Sequence, residues 1–231
     1  MIKMIVFDLD GTLLDTIEDL SESMNHALQS HGLPALDYSA YKKNVGNGAY
    51  NLCKGSLRDS LDKDSTGNAG VVIVEEILAA FKTHYISNMY NKTRPYPGII
   101  EGLSLLARHG ILLAVLSNKP DPNTKELVAR YFPEIRFQAV IGESSAFPKK
   151  PDPASLRYIM DQCGVTPDQV LLVGDGETDM QTAIAAKVCP IAALWGFRTE
   201  EELHIAGAER FLKDPSEIGL SLIGQMDYDE E

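Results

Sequence analysis

The stretch "IVFDLDGTLLDT", residues 5–16, decides how this chain is read. Three apolar residues, Ile5, Val6 and Phe7, run into two acids one residue apart, Asp8 and Asp10, and then into Gly11 and Thr12. In a strand, residues i and i+2 point the same way. The pattern therefore predicts a strand whose end aims two carboxylates into one small space, where they repel unless a cation sits between them. Gly11 lets the backbone come close to a ligand there.

Working outward, the 231 residues suffice for a real hydrophobic core, and 44% apolar with 23% charged residues is the balance of a globular protein. A formal net charge of −12 excludes nucleic acid and anionic lipid as natural partners. An anionic ligand would need positive charge supplied locally by a metal, a lysine or backbone N–H groups. Cys53, Cys163 and Cys189 are few, odd in number and without C-x-x-C spacing, against a disulfide framework or a zinc site. The apolar run after Lys3 breaks at Asp8, too short for a signal segment, and no apolar stretch reaches membrane-spanning length. The expectation is a soluble cytoplasmic protein, monomeric or a weak homodimer.

Four apolar runs read as parallel strands covered on both faces: Ile2 to Leu9, Ile111 to Leu116, Val170 to Val173 and Ile191 to Leu194. Helical periodicity lies between the later ones, over 98–109, 123–131, 153–163 and 180–186. In the first of these Ile99, Leu103, Leu106 and Ala107 form one stripe, and Gly110 is placed to end the helix. Strand followed by helix, repeated, predicts a doubly wound α/β parallel sheet. Residues 16–93 break the rhythm with helical patterns over 17–31 and 72–91 and no buried strand, so they form a helical insertion. The expected domains are a core of 1–15 and 94–231 and a helical unit of 16–93. Within that unit "KDSTGNAG" (63–70) reads as a loop, and "DYDEE" (227–231) as a frayed acidic tail.

Ligands of open α/β sheets bind beyond the carboxyl ends of the strands. Four polar clusters stand there: "DLDGT" (8–12), "SNKP" (117–120), "KKPDP" (149–153) and "GDGETD" (174–179). Acids, a hydroxyl, an amide and a lysine suit a phosphoryl group held with a divalent metal. A carboxylate attacking a phosphate ester meets like charge, at about 4 kcal/mol per unit pair at 4 Å in an effective dielectric of 20. Mg²⁺ takes carboxylates, waters and phosphate oxygens and offsets that repulsion. Asp8 and Asp175 can supply carboxylates and Asp10 a main-chain carbonyl. Lys150 would add a point charge, with Ser117 Oγ and the N–H groups of Asn118 and the Asp10 loop as donors. Asp10 is placed to protonate a leaving oxygen and then to deprotonate water. Should a helical turn start near Gly176, Asp175 and Asp179 would share a face.

"FDLDGT", "LSNK", "KPDP" and "GDGETD", in this order, resemble the haloacid dehalogenase superfamily over nearly the whole chain, and the insertion resembles its small helical (C1-type) cap. The resemblance implies a Rossmann-like core, Asp8 as nucleophile, Asp10 as general acid/base, Ser117 and Lys150 as phosphate ligands, and the late acids Asp175 and Asp179 with Asp8 and Asp10 at Mg²⁺. It also places Gly11, Thr12 and Asn118 around the phosphate. Asp179 is alternatively a supporting residue that orients Lys150 or a metal-bound water. "NVGNGAYNL" (44–52) and "SNKP" further resemble phosphoglycolate phosphatases and their near relatives.

That resemblance implies a phosphatase of small phosphomonoesters, phosphoglycolate foremost, acting through an aspartyl phosphate. Asp10 argues against a dehalogenase or a phosphonatase, whose second position is not acidic. A β-phosphoglucomutase-like phosphotransferase keeps both acids and is the enzymatic alternative, from which Thr12 leans towards hydrolysis. A non-enzymatic phosphoryl-binding protein is the alternative of another class. Substrate choice is expected in the insertion, where Gly46, Asn47 and Gly48 can bend backbone towards substrate and Lys43, Lys54 or Arg58 could meet a carboxylate. The insertion is expected to close over the site and exclude water. Asp15 is either a further family acid or a cap of the helix from Ile17. His26, His31, Trp195 and the cysteines carry no assigned chemistry.

Overall fold

The computed structural model describes residues 1–63, 74–219 and 222. The expected acidic tail and residues 64–70 of the expected loop lie outside them. The chain divides into two compact units, one of Met1–Leu14 with Pro95 onward, the other Asp15–Arg94. Strand β1 (Met4–Phe7) opens the first unit, and the short strands β2 (Leu14–Asp15) and β3 (Arg94–Pro95) carry the chain out of it and back.

In the first unit, α5 (Ile99–Arg108), β4 (Leu112–Pro120), α6 (Asp121–Tyr131), β5 (Phe137–Glu143) and α7 (Ala154–Cys163) follow. Then come β6 (Val170–Gly174), α8 (Glu177–Ala186), β7 (Cys189–Ala193), α9 (Glu200–Ile205) and β8 (Arg210–Leu212). Six strands form one parallel sheet in the order β5-β4-β1-β6-β7-β8. The doubly wound α/β class is thus the observed one. Met4 to Phe7 are fully buried, as are most residues of β4 and β6, because helices cover both faces of the sheet. Met4, Val6, Ala114 and Leu172 pack with Leu156 and Ile159 of α7 and Ala183 of α8 into one apolar cluster.

The strand order positions the site. From β1 the chain builds outward through β4 and β5, then returns to β1's other side for β6, β7 and β8. Direction therefore switches at β1 and β6, and loops leaving their carboxyl ends part to opposite faces, opening the crevice where α/β sheets hold ligands. Met4 is in register with Leu112 on one side and with Val170 on the other, so the three strands start level, and β4 runs on past the end of β1 to Pro120.

Local chemistry sets most helix ends. Gly110 has φ +79° and lies directly after His109, where α5 stops. Helix α6 begins at Asp121, two residues before the predicted start, with Pro122 in its first turn. Strands β5 and β8 are additional to the four predicted. Both lie at sheet edges and are only partly buried, so their sequences "FQAVIGE" and "RFL" lack a buried strand's continuous apolar run.

The second unit is helical, with α1 (Ile17–Ser30), α2 (Tyr38–Lys42), α3 (Ala49–Lys63) and α4 (Val74–Asn88). Leu20, Met24, Ala27 and Leu28 of α1 and Ile77, Phe81 and Tyr85 of α4 are buried at helical spacing. Asn25 of α1 pins the following loop: its Nδ2 donates to the Leu36 carbonyl at 3.1 Å and its Oδ1 accepts the Leu36 N–H at 2.8 Å. Buried Asp19 accepts the N–H groups of Lys92 and Thr93, tying the two ends of the unit together. Among the described residues no helix is long and apolar enough to cross a membrane.

Candidate active site

Asp8 is the first residue past β1, and its N–H still donates to the Val173 carbonyl of β6 at 2.9 Å, which fixes the backbone against the sheet. Its side chain is buried. Lys150 Nζ stands 2.8 Å from Asp8 Oδ1, an ion pair between two buried side chains. Burial pushes the Asp8 carboxyl up to about 7; Lys150 pulls it down and the charges of Asp179 and Asp10 push it further up.

Asp10 lies two residues on. Lys119 Nζ, on a side chain that is 3% exposed, donates to both its carboxylate oxygens at 2.9 and 3.1 Å. Gly11, at φ +87°, turns the chain immediately afterwards. A Cβ there would fall 2.3 Å from Asp175 Oδ2, so the close approach Gly11 permits is to the Asp175 carboxylate, while its N–H bonds to the Leu14 carbonyl. Thr12 is fully buried and its hydroxyl donates to Asp175 Oδ1 at 3.0 Å.

Asp175 and Asp179 come from the turn after β6. Helix α8 begins at Glu177 with Gly176 before it, so Asp175 lies outside the helix and the two acids do not share a helix face. The turn brings them together instead. Asp179 faces back and its Oδ2 accepts the Gly176 N–H at 3.0 Å, satisfying an open donor of the helix start. Ligand oxygens of Asp8, Asp175 and Asp179 lie within 4.8 Å of one another, and all three residues are buried. Burial raises the Asp175 carboxyl to about 8, with Asp8 and Asp179 adding to the rise and the Phe197 N–H and Thr12 hydroxyl opposing it.

Lys150 is fixed from several sides. Its Nζ donates to the Leu116 carbonyl at 2.9 Å and to Asp179 Oδ1 at 2.6 Å. Asn118 clamps the lysine backbone, accepting its N–H at 2.8 Å and donating to its carbonyl at 3.1 Å. Burial pulls the ammonium's pKa down; the charges of Asp179 and Asp8 prevail and hold it above the ordinary lysine value. Neighbouring Lys149 is half exposed and pairs with Glu143 at 2.8 Å. Ser117 is buried at the end of β4, with Oγ accepting the Lys119 N–H at 3.2 Å.

The structure therefore gathers Asp8, Asp10, Gly11, Thr12, Ser117, Asn118, Lys150, Asp175 and Asp179 at the carboxyl ends of β1, β4 and β6. Gly46, Asn47 and Gly48 belong to the helical unit, in the turn before α3, where Gly46 and Gly48 have φ +108° and +82°. In the same unit Lys43 and Arg58 both pair with Asp59. Helix α1 begins at Ile17 with Thr16 in the cap position and no side-chain cap, and Asp15 Oδ1 is buried with no hydrogen-bond partner, so Asp15 does not cap it.

Two sets of residues escaped the sequence reading. Lys119 lies inside "SNKP", where turn-forming neighbours make it look like a solvated charge. Trp195, Gly196 and Phe197 follow β7: the Trp195 indole N–H donates to the Thr12 carbonyl at 3.0 Å and the Phe197 N–H to Asp175 Oδ2 at 2.8 Å. A Cβ on Gly196 would lie 2.3 Å from Asp175 Cβ. The Trp195 contact spans 183 residues of chain and the Phe197 contact 22, and no local pattern announces either.

Known proteins resemble this chain in sequence and in fold. The chain is 35% identical to a phosphoglycolate phosphatase of Mesorhizobium japonicum over 196 residues, which is 84% of this chain and 83% of that protein. A phosphoglycolate phosphatase of Rhodospirillum rubrum is 33% identical over 219 residues, 95% and 90% of the two chains. The crystal structure of a predicted phosphoglycolate phosphatase from Haemophilus somnus superposes with a TM-score of 0.85 at 28% identity, covering 96% of this chain and 98% of that one. Residues 5–193, from the first strand of the sheet to the end of β7, match the haloacid dehalogenase-like hydrolases, and to that family this chain belongs.

Proposed function

We propose that the protein is a cytoplasmic, Mg²⁺-dependent phosphatase that hydrolyses a small phosphomonoester, phosphoglycolate foremost, through a phosphoryl group carried on Asp8. The observation that supports this most strongly is the buried trio Asp8, Asp175 and Asp179 beside Lys150. With Asp10 there are four carboxylates against the two ammonium groups of Lys119 and Lys150, an excess of two negative charges that a divalent cation neutralises. The donors are all oxygen, as Mg²⁺ prefers. Asp8, Asp175 and the Asp10 carbonyl would hold the ion, with Asp179 adjoining. When bound, it supplies positive charge to the phosphoryl oxygens.

The remaining work falls to side chains. The Asp8 carboxylate attacks phosphorus, the ester P–O bond breaks, and protonated Asp10 gives its proton to the departing oxygen. Asp10, now a carboxylate, takes a proton from water as that water attacks the phosphorus of the aspartyl phosphate, releasing inorganic phosphate and restoring Asp8. Lys150, anchored by Leu116 and Asp179, offsets phosphoryl charge next to Asp8. The Ser117 hydroxyl and the Asn118 N–H bind phosphoryl oxygens. Gly11 and Thr12 act through Asp175, which they hold in place. The assignment of Gly46, Asn47 and Gly48 to substrate contact belongs to the same proposal.

The choice of phosphoglycolate follows the names of the relatives, which share about a third of their residues with this chain. Free Cys53, Cys163 and Cys189 accord with a reducing compartment. The test is phosphate release from a panel of phosphoglycolate, sugar phosphates, other small monoesters and pyrophosphate, with Mg²⁺ and with chelator. The expected result is Mg²⁺-dependent release with the highest kcat/KM on phosphoglycolate. No release from any member would overturn the reading.

A further inference from the structure

We infer that the ion pair between Arg198 and Glu177 positions Asp175 as a metal ligand, by closing a ring of contacts around its carboxylate, and so sets the affinity for Mg²⁺. The inference rests on the Mg²⁺-dependent reading above and extends it to two residues outside the set assigned there.

Asp175 has little in its own turn to hold it still. It stands between Gly174 and Gly176, so neither neighbour carries a side chain that could wedge the backbone. The returning Asp179 requires this at Gly174, where a Cβ would fall 2.3 Å from Asp179 Cγ. The direction of the Asp175 carboxylate is therefore set from outside the turn. Thr12 donates its hydroxyl to Oδ1 at 3.0 Å and Phe197 its N–H to Oδ2 at 2.8 Å, one donor on each oxygen. On the Thr12 side the backbone is tied by the Trp195 indole, which donates to the Thr12 carbonyl at 3.0 Å.

On the other side the donor is a main-chain N–H, and its aim depends on what anchors the chain beside it. Arg198, the next residue, supplies an anchor: its Nε donates to Glu177 Oε2 at 3.1 Å from a buried side chain. Glu177 is the first residue of α8, two positions after Asp175. The ring is then complete. Asp175 is joined to Glu177 along the chain, Glu177 to Arg198 by the ion pair, Arg198 to Phe197 along the chain, and Phe197 back to Asp175 by its N–H. A guanidinium suits this place because its planar fork fixes a carboxylate in direction as well as in distance.

The signs of the charges separate positioning from electrostatics. Glu177 contributes negative charge near a bound cation and Arg198 positive charge. Through charge alone, loss of Glu177 would weaken Mg²⁺ binding and loss of Arg198 would strengthen it. Through the ring, either loss weakens it.

The experiment titrates the full-length, metal-free protein with Mg²⁺, read by calorimetry and by the fluorescence of the single tryptophan, Trp195. Arg198→Met and Glu177→Ala should each bind Mg²⁺ about 10-fold more weakly than wild type, the low end of the loss when a metal ligand's support is disturbed. The double variant should bind no more weakly than the weaker single, because the same contact is lost in all three. Unchanged or tighter binding by Arg198→Met would overturn the inference, as would losses that add in the double variant.

Should Arg198→Met fail to fold, Glu177→Asp keeps the negative charge at nearly the same place on a side chain one carbon shorter. A loss of Mg²⁺ affinity of the same order is expected, and wild-type affinity would overturn the inference. A wild type that binds Mg²⁺ no better than its variants would refute the role of the ion pair and leave the phosphatase reading standing. A wild type that takes up no Mg²⁺ in either readout would refute the metal-dependent reading, and the inference with it.

Discussion

Asp19 in the helical unit and Asp8 in the sheet unit are equally hidden from solvent, and they could hardly be more different in company. Asp19 is 1% exposed and accepts two backbone N–H groups, with contacts at 2.8, 3.0 and 3.1 Å. Its charge is satisfied by donors, and it holds the two ends of the unit together. Asp8 is 6% exposed and shares its surroundings with buried Asp175 and Asp179, with Lys150 paired to Asp8 and Asp179. Burial is common to both. Three buried carboxylates around one lysine belong only to Asp8, and they mark the site because a fold keeps such repulsion only where a ligand relieves it.

The strongest way to break this contrast is Asp8→Asn. Turnover should fall by about 10⁴-fold or more, as when a nucleophile is removed, while the metal-free protein melts no lower than wild type because a repelling charge is gone. A large fall in melting temperature would make Asp8 a structural acid like Asp19. Gly196→Ala comes next. Its Cβ would intrude on the Asp175 side chain, and Mg²⁺ affinity should drop about 10- to 100-fold, the usual effect of disturbing a metal ligand's support. The chain's single tryptophan, Trp195, is bonded to the Thr12 carbonyl and offers a fluorescence readout of that titration. Unchanged affinity would remove the Trp195–Phe197 segment from the metal site's support.

Asp19→Ala should act on stability instead. Two backbone N–H groups lose their acceptor, at about 2–4 kcal/mol in denaturant melts, with kcat of the remaining folded protein retained. A stability change within error would show those N–H groups find water without penalty. The smallest effect is in pH. Asp8 and Asp175 titrate near 7 and 8 in the folded state against an ordinary value of 3.8, so the native protein binds more protons than the unfolded chain across that interval. Stability from these groups is present at low pH and lost as pH rises through 7 to 8. Metal-free protein should therefore melt several degrees lower at pH 8 than at pH 5, and Mg²⁺ should raise the melting temperature more at pH 8 than at pH 5. Equal Mg²⁺ shifts at the two pH values would contradict the crowding of acids.

Much of this could be seen in the sequence because local patterns carried it. Ile5 to Phe7 before Asp8, and Val170 to Val173 before Asp175, announce buried strands ending in acids, and the order of the four clusters gave the family. What escaped has a physical cause in each case. Strands β5 and β8 lie at sheet edges, where one side of the strand is open and no continuous apolar run is required. Asp175 and Asp179 meet through a turn rather than along a helix, which spacing alone does not distinguish. Lys119 takes its role from Asp10, 109 residues away, Trp195 from Thr12, 183 residues away, and Phe197 from Asp175, 22 residues back across a strand, so none is signalled by its immediate neighbours.

The central claim is that Asp8 carries the phosphoryl group, and rapid acid quench of the enzyme turning over ³²P-labelled phosphoglycolate with Mg²⁺ tests it most directly. The account predicts a label that forms at least as fast as steady-state turnover, is released by mild base, disappears in a chase, and maps to the peptide containing Asp8. Phosphate released at full rate with no labelled protein, or with the label on another residue, would contradict it.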